Sequence, residues 1–144
     1  MICCIEINTI NMEEKNMEKI CFKTQKGPAA VGPYNTAVIF GETVYMSGMI
    51  GIDPLVQKPV EGGTLAQAAQ IFKNIELVLG ELNLTMDDVL KTTVYLTDIK
   101  EFGEVNKLYA EAFAPNFPAR TCVEVSALPM GLSIEIECIA RARK

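Results

Sequence analysis

The chain has 144 residues, enough for one domain with a sizeable buried core. Its apolar share of 49% and charged share of 22% are those of a globular protein, and its formal net charge of −5 argues against nucleic acid or an anionic membrane as the main partner, because both ask for a basic surface. The sequence holds no histidine, which removes the usual general base and the commonest metal ligand and leaves carboxylate, Cys, Tyr, Lys or water for acid–base chemistry.

In chain order, residues 1–19 are predicted to be a disordered N-terminal extension, since Asn and Glu crowd Asn8 to Lys19 without periodicity. Met12 and Met17 leave open a shorter working form. Residues 20–144 read as a single domain. The opening MICCIEI is too short and lacks the basic start of a signal peptide, and no apolar run is long enough to span a membrane. The cysteines, Cys3, Cys4, Cys21, Cys122 and Cys138, form no CxxC pair, and an odd count points to reduced thiols and a cytoplasmic location.

Ile20 to Thr24 is a short first strand. Gly27-Pro28 and Gly32-Pro33 punctuate a loop that delivers Tyr34. Asn35 to Phe40 and Thr43 to Ser47, around Gly41-Glu42, have the signature of a hairpin. Ser47-Gly48-Met49-Ile50-Gly51 then breaks the second strand, with glycine placed where a ligand can approach the backbone. Residues 52–63 form a loop. Thr64 to Leu82 is the clearest helix, with a capping box from Thr64 and Gln67 and an apolar stripe of Leu65, Ala68, Phe72, Ile75, Leu79 and Leu82. Thr85 to Asp88 suggests a further cap, and Val89 to Thr97 is a strand. Asp98 and Glu101 cap a second helix to about Phe113, with Phe102, Val105, Leu108 and Ala112 inward.

Pro118 sets the entry to the strand Phe117 to Val125, where Arg120, Cys122 and Glu124 share one face. After a turn at Leu128 to Gly131, the strand Leu132 to Ala140 puts Ile134, Ile136, Cys138 and Ala140 on one face and Glu135, Glu137 and Ile139 on the other. These two strands are expected to bring one guanidinium within reach of one or two carboxylates. The predicted architecture is α+β, a sheet with two helices on one face. Two helices cannot cover a second face, yet the strands carry apolar residues on both, so self-association is expected. No phosphate loop, dinucleotide fingerprint or metal-ligand cluster appears, so no cofactor and no metal site is expected.

GPY at Gly32 to Tyr34, SGMIGIDP at Ser47 to Pro54, VLKTTVYLTDI at Val89 to Ile99, EVNKLYAEAF at Glu104 to Phe113, FPARTCVEV and IEIECIA together resemble the RidA (YjgF-type) reactive-intermediate deaminase family, from about residue 20 to the C-terminus. The resemblance implies a chorismate-mutase-like mixed sheet, a homotrimer with clefts between subunits, and hydrolysis of small 2-imino acids, released by pyridoxal-phosphate dehydratases, to 2-oxo acids and ammonia. It implies that Arg120 binds the substrate carboxylate, that Glu135 orients or activates water, that Tyr34, Ser47, Gly48 (through its backbone) and Asn106 shape the pocket, and that Cys122 lies beside the reacting carbon. Met49 stands where the family often has Gln. Read without the family, Arg120 is a structural ion-pair partner, Cys122 and Cys138 are small buried apolar groups, Tyr34 is a packing residue and Asn106 a helix-face residue. The rival functions are a non-catalytic small-ligand-binding or regulatory trimer and an endoribonuclease-type translation inhibitor. The acidic balance and missing histidine weigh against the nuclease.

Overall fold

The computed structural model describes residues 18–142. Apart from Glu18 and Lys19, the N-terminal extension lies outside the described residues. β1 (Ile20–Phe22), β2 (Ala37–Phe40), β3 (Thr43–Ile50), β6 (Val89–Leu96), β7 (Ala119–Glu124) and β8 (Ile134–Arg141) form one mixed sheet in the order β1-β2-β3-β8-β6-β7. Every pairing is antiparallel except β6–β7. That pair is parallel because α2 (Phe102–Phe113) crosses over between its strands. β4 (Ile52–Asp53) and β5 (Lys58–Pro59) make a small separate hairpin inside the segment expected to be plain loop. The α+β expectation, with two helices on one face of the sheet, is met.

The first helix, α1 (Gly63–Glu81), lays Ala68, Ile71, Phe72, Ile75, Val78 and Leu79 on the sheet. The sheet answers with Val44, Met46, Met49, Val94, Leu96, Ile134, Ile136, Cys138 and Ala140, all buried. The stripe differs from the sequence reading at two points. Leu65 is 40% exposed, while Ile71 and Val78, which the spacing argument passed over, are fully buried. The expected capping box does not form. The N-cap is Gly62 in the left-handed conformation (φ 107°), and Thr64 and Gln67 turn inward. Their side chains are used across the fold: Thr64 donates to Glu101, and Gln67 accepts from Ser133. Asp98 does act as a cap, accepting from Lys100 N (2.9 Å), but on a single 3₁₀ turn ahead of α2. The cap expected at Thr85 and Asp88 forms, with Thr85 N donating to Asp88 Oδ2 at 2.9 Å.

The glycine-rich end of β3 is not a break. The strand continues to Ile50, and the register shifts between Met46 and Met49, a bulge that leaves Ser47 and Gly48 without register partners on β8. Buried Asn74 fixes this end from α1, donating to Ile52 O at 2.8 Å. Facing away from the helices, the sheet presents Tyr45 (49% exposed) and Val123 (40% exposed) with no layer over them among the described residues.

A candidate active site in two halves

The first half is built on β7 and α2. Arg120 pairs with Thr92, and Cys122 with Val94, so both point to the helix-covered face. β7 is the edge of the sheet and its residues are largely exposed. Arg120 Nη1 donates to Asn106 Oδ1 at 2.7 Å. The guanidinium carbon lies 4.5 Å from the Tyr109 ring centroid and 5.3 Å from that of Phe102. Phe102, Asn106 and Tyr109 follow one another at helical spacings of four and three, so one face of α2 makes the platform. Among the described residues no carboxylate pairs with Arg120. The structural ion-pair reading therefore finds no support among the described residues. A planar cation held by an amide and two rings keeps donors for an incoming anion. Asn106, Tyr109, Phe117, Pro118 and Arg120 line an open cleft of about 380 Å³.

Cys122 lies two residues further along the same face and is half-buried. Burial pushes its thiol pKa up, against the pull of Arg120 in the other direction. The Cys138 thiol, buried under the helices, is pushed up to about 12 by burial and then by Glu137. Neither sulfur is prepared as a thiolate nucleophile.

The second half lies on the opposite face. Glu135 pairs with Ile50 on β3 and Tyr95 on β6, and both positions point away from the helices. A cleft of about 260 Å³ is lined by Val31, Tyr34, Ser47, Gly48, Ile50, Pro129 and Glu135. The bulge makes room for the carboxylate. A Cβ on Gly48 would stand 1.8 Å from Glu135 Oε1, so no side chain fits at 48 with Glu135 in place. The Ser47 hydroxyl donates to Asn35 O (2.7 Å) and Ser47 N donates to Thr36 O (3.0 Å), tying the bulge to the loop that carries Tyr34. Tyr34 is 44% exposed, and its hydroxyl accepts from Val31 N at 3.3 Å. Burial first, and the Glu137 carboxylate second, raise the Glu135 pKa above the ordinary glutamate value. A carboxylate so perturbed is a stronger base than a solvated one.

The residues singled out in the sequence thus gather as two groups, Arg120, Asn106 and Cys122 in one, and Tyr34, Ser47, Gly48 and Glu135 in the other. The expectation that the two strands bring Arg120 within reach of Glu135 is corrected. β6 lies between β7 and β8, Arg120 is level with Cys138 rather than Glu135, and the two side chains leave opposite faces of the sheet. Within one chain they are separated by about two strand spacings across, roughly 10 Å, and as much again along the strand. Sequence reasoning also missed the ring of Tyr109 beneath Arg120, and the apolar walls Val31, Ile50 and Pro129. The spacing of Phe102, Asn106 and Tyr109 was the available signal for the first. Among the described residues no group of three or more Cys, Asp and Glu side chains is placed to hold a metal ion.

The model of the family described as Endoribonuclease L-PSP matches residues 24–142. The chain belongs to this family. The human protein named 2-iminobutanoate/2-iminopropanoate deaminase is 45% identical over 117 residues, covering 81% of this chain and 85% of the human one. The rat protein of the same name is 46% identical over the same lengths. The crystal structure of RidA from the Antarctic bacterium Psychrobacter is 41% identical with a TM-score of 0.81, covering 85% of this chain and 98% of that one. The RidA (YjgF-type) resemblance carried by the sequence motifs is borne out.

Proposed function

We propose that this chain is a 2-iminobutanoate/2-iminopropanoate deaminase, hydrolysing imine and enamine intermediates released by pyridoxal-phosphate dehydratases to 2-oxo acids and ammonia. The observation that carries the reading is Arg120, a guanidinium on an exposed edge, braced by Asn106 and two rings, with no carboxylate partner among the described residues. A bidentate fork of this kind suits the planar carboxylate of a 2-imino acid. The names carried by the human and rat relatives support the same substrate class.

In the proposed reaction Arg120 holds the substrate carboxylate and fixes the imine carbon in the cleft. Glu135 takes a proton from water as the water oxygen bonds to the carbon of the protonated imine, and the C=N π pair passes to nitrogen, giving a neutral carbinolamine. The Glu135 carboxyl then hands that proton to the amine, the C–N bond breaks with its pair going to nitrogen, the carbinol hydroxyl passes its proton to the Glu135 carboxylate as the oxygen closes to a carbonyl, and ammonia leaves. An imine carbon is already electrophilic, so positioning and a modest base suffice. Arg120 and Glu135 leave opposite faces of one sheet, so the site needs a second copy of the chain, one contributing the β7–α2 half and the other the β3–β8 half. A homotrimer that buries the open sheet face meets both requirements. The cleft residues Tyr34, Ser47, Gly48, Asn106 and Cys122 shape the pocket. The protein is proposed to work in the cytoplasm.

The family's description as endoribonuclease keeps RNA cleavage as the rival. A net charge of −5 and a sequence without histidine disfavour it. The test is a coupled assay in which threonine dehydratase acts on threonine with and without this protein. Faster appearance of 2-oxobutanoate is the expected result, and an unchanged rate refutes the proposal.

A further inference from the structure

We infer that Gln67 is a positioning residue for the Glu135 carboxylate, holding the entry to β8 through Ser133 while α1 presses on the end of β3; the inference rests on the reading of Glu135 as the group that activates water. Gln67 is a polar side chain, 8% exposed, on a helix face that buries it with Thr64 and Asn74 among apolar core residues. Burying an amide there costs desolvation that an apolar residue of the same length would not. Its Oε1 accepts two hydrogen bonds from one residue, Ser133 N at 2.9 Å and Ser133 Oγ at 3.0 Å. Ser133 stands two residues before Glu135, where the chain leaves the Pro129–Gly131 turn and enters β8. That turn holds Met130 at φ 60° and Gly131 at φ 68°. A strand end beside such a turn frays unless it is pinned. The Ser133 carbonyl is pinned as well, accepting from Thr97 N at 3.0 Å.

The second wall of the cleft meets Gln67 independently. A Cβ on Gly51 would lie 2.7 Å from the Gln67 Cα, so α1 makes its close approach to the end of β3 at this same residue. Three residues earlier, Gly48 is the surface against which the Glu135 carboxylate rests. One residue of α1 therefore sets both the strand that carries Glu135 and the strand that receives it. Thr64, one turn earlier, backs the arrangement, with its Oγ1 2.8 Å from Ser133 Oγ. In this account Gln67 touches no substrate and acts only on where the Glu135 carboxylate points.

The test compares the full-length parent with Gln67→Met, which keeps length but removes the acceptor, and Gln67→Glu, which keeps it. Each is assayed with 2-iminobutanoate generated by threonine dehydratase. Misplaced catalytic groups lose turnover with little loss of carboxylate binding, so Gln67→Met should lower kcat by roughly ten- to a hundredfold with KM within about threefold of the parent. Gln67→Glu should restore most of kcat. Should Gln67→Met not assemble, Ser133→Ala decides in its place: removing one of the two bonds, it should lower kcat by roughly two- to fivefold at constant KM. Parent kcat in the folded variant, or a fall that Gln67→Glu does not repair, overturns the inference and leaves the deaminase reading standing. A parent without activity overturns both.

Discussion

Arg120 stacks on Tyr109 and Phe102 and spends one bond on Asn106, which leaves the rest of its fork for the proposed substrate carboxylate. Removing one partner of such a charged contact costs roughly 2–5 kcal/mol, so Arg120→Ala should lose roughly thirty- to several-thousand-fold in kcat/KM. Arg120→Lys keeps the charge without the fork and should recover only part of this, as read by steady-state kinetics at low substrate. At Gly48 the prediction is steric. Gly48→Ala puts a methyl where the Glu135 carboxylate now lies, so kcat should collapse while circular dichroism stays that of the parent; full activity would mean the carboxylate works from elsewhere. Glu135 also yields a pH prediction. In the proposed reaction its ionised form is the base, so kcat/KM should fall as pH falls through its pKa, and the Glu137 carboxylate helps to raise that pKa. Glu137→Gln should therefore move the acid limb of the pH–rate profile to lower pH; a shift to higher pH contradicts the assignment. The identities of these residues were legible because Arg120, Gly48 and Glu135 fall in motifs. Their supports were not. The Tyr109 ring and the contact of Glu135 with Gly48 arise from packing between segments distant in sequence, which no local pattern encodes.

At the scale of elements, periodicity found both helices and every long strand, because alternation and helical stripes follow directly from burying one face. It failed where a polar residue serves tertiary structure. Thr64 and Gln67 have the spacing of a capping box, but α1 starts from left-handed Gly62 and turns both side chains inward to Glu101 and Ser133. Ser47 and Gly48 look like a strand end, yet the ladder resumes at Met49, since two residues without register partners on β8 are tolerated as a bulge. Asn74 belongs to the same class, a fully buried amide within the α1 stripe whose purpose is the carbonyl of Ile52. Asn74→Ala leaves that carbonyl without its donor and should lower stability by about 1–3 kcal/mol. The measurement is the urea midpoint at unchanged m-value, and an unchanged midpoint would show that the link is idle.

For the whole molecule, the decisive fact is that the sheet separates the two groups of site residues. The helix-covered face ends at an exposed edge strand carrying Arg120, and the open face carries Glu135 among partly exposed Tyr45 and Val123. The uncovered face was legible in the sequence as apolar residues in excess of the helices available. The separation was not, because it depends on β6 lying between β7 and β8, an order that no local pattern fixes. Light scattering should find a stable trimer at micromolar concentration. A more direct measurement is complementation between two inactive variants, Arg120→Ala and Glu135→Gln, refolded together in equal amounts. If each site takes Arg120 from one copy and Glu135 from the next, random mixing rebuilds both groups in about a quarter of the sites, so about a quarter of parent imine hydrolysis should return. Mixed assemblies with no more activity than the two variants alone would contradict the shared site.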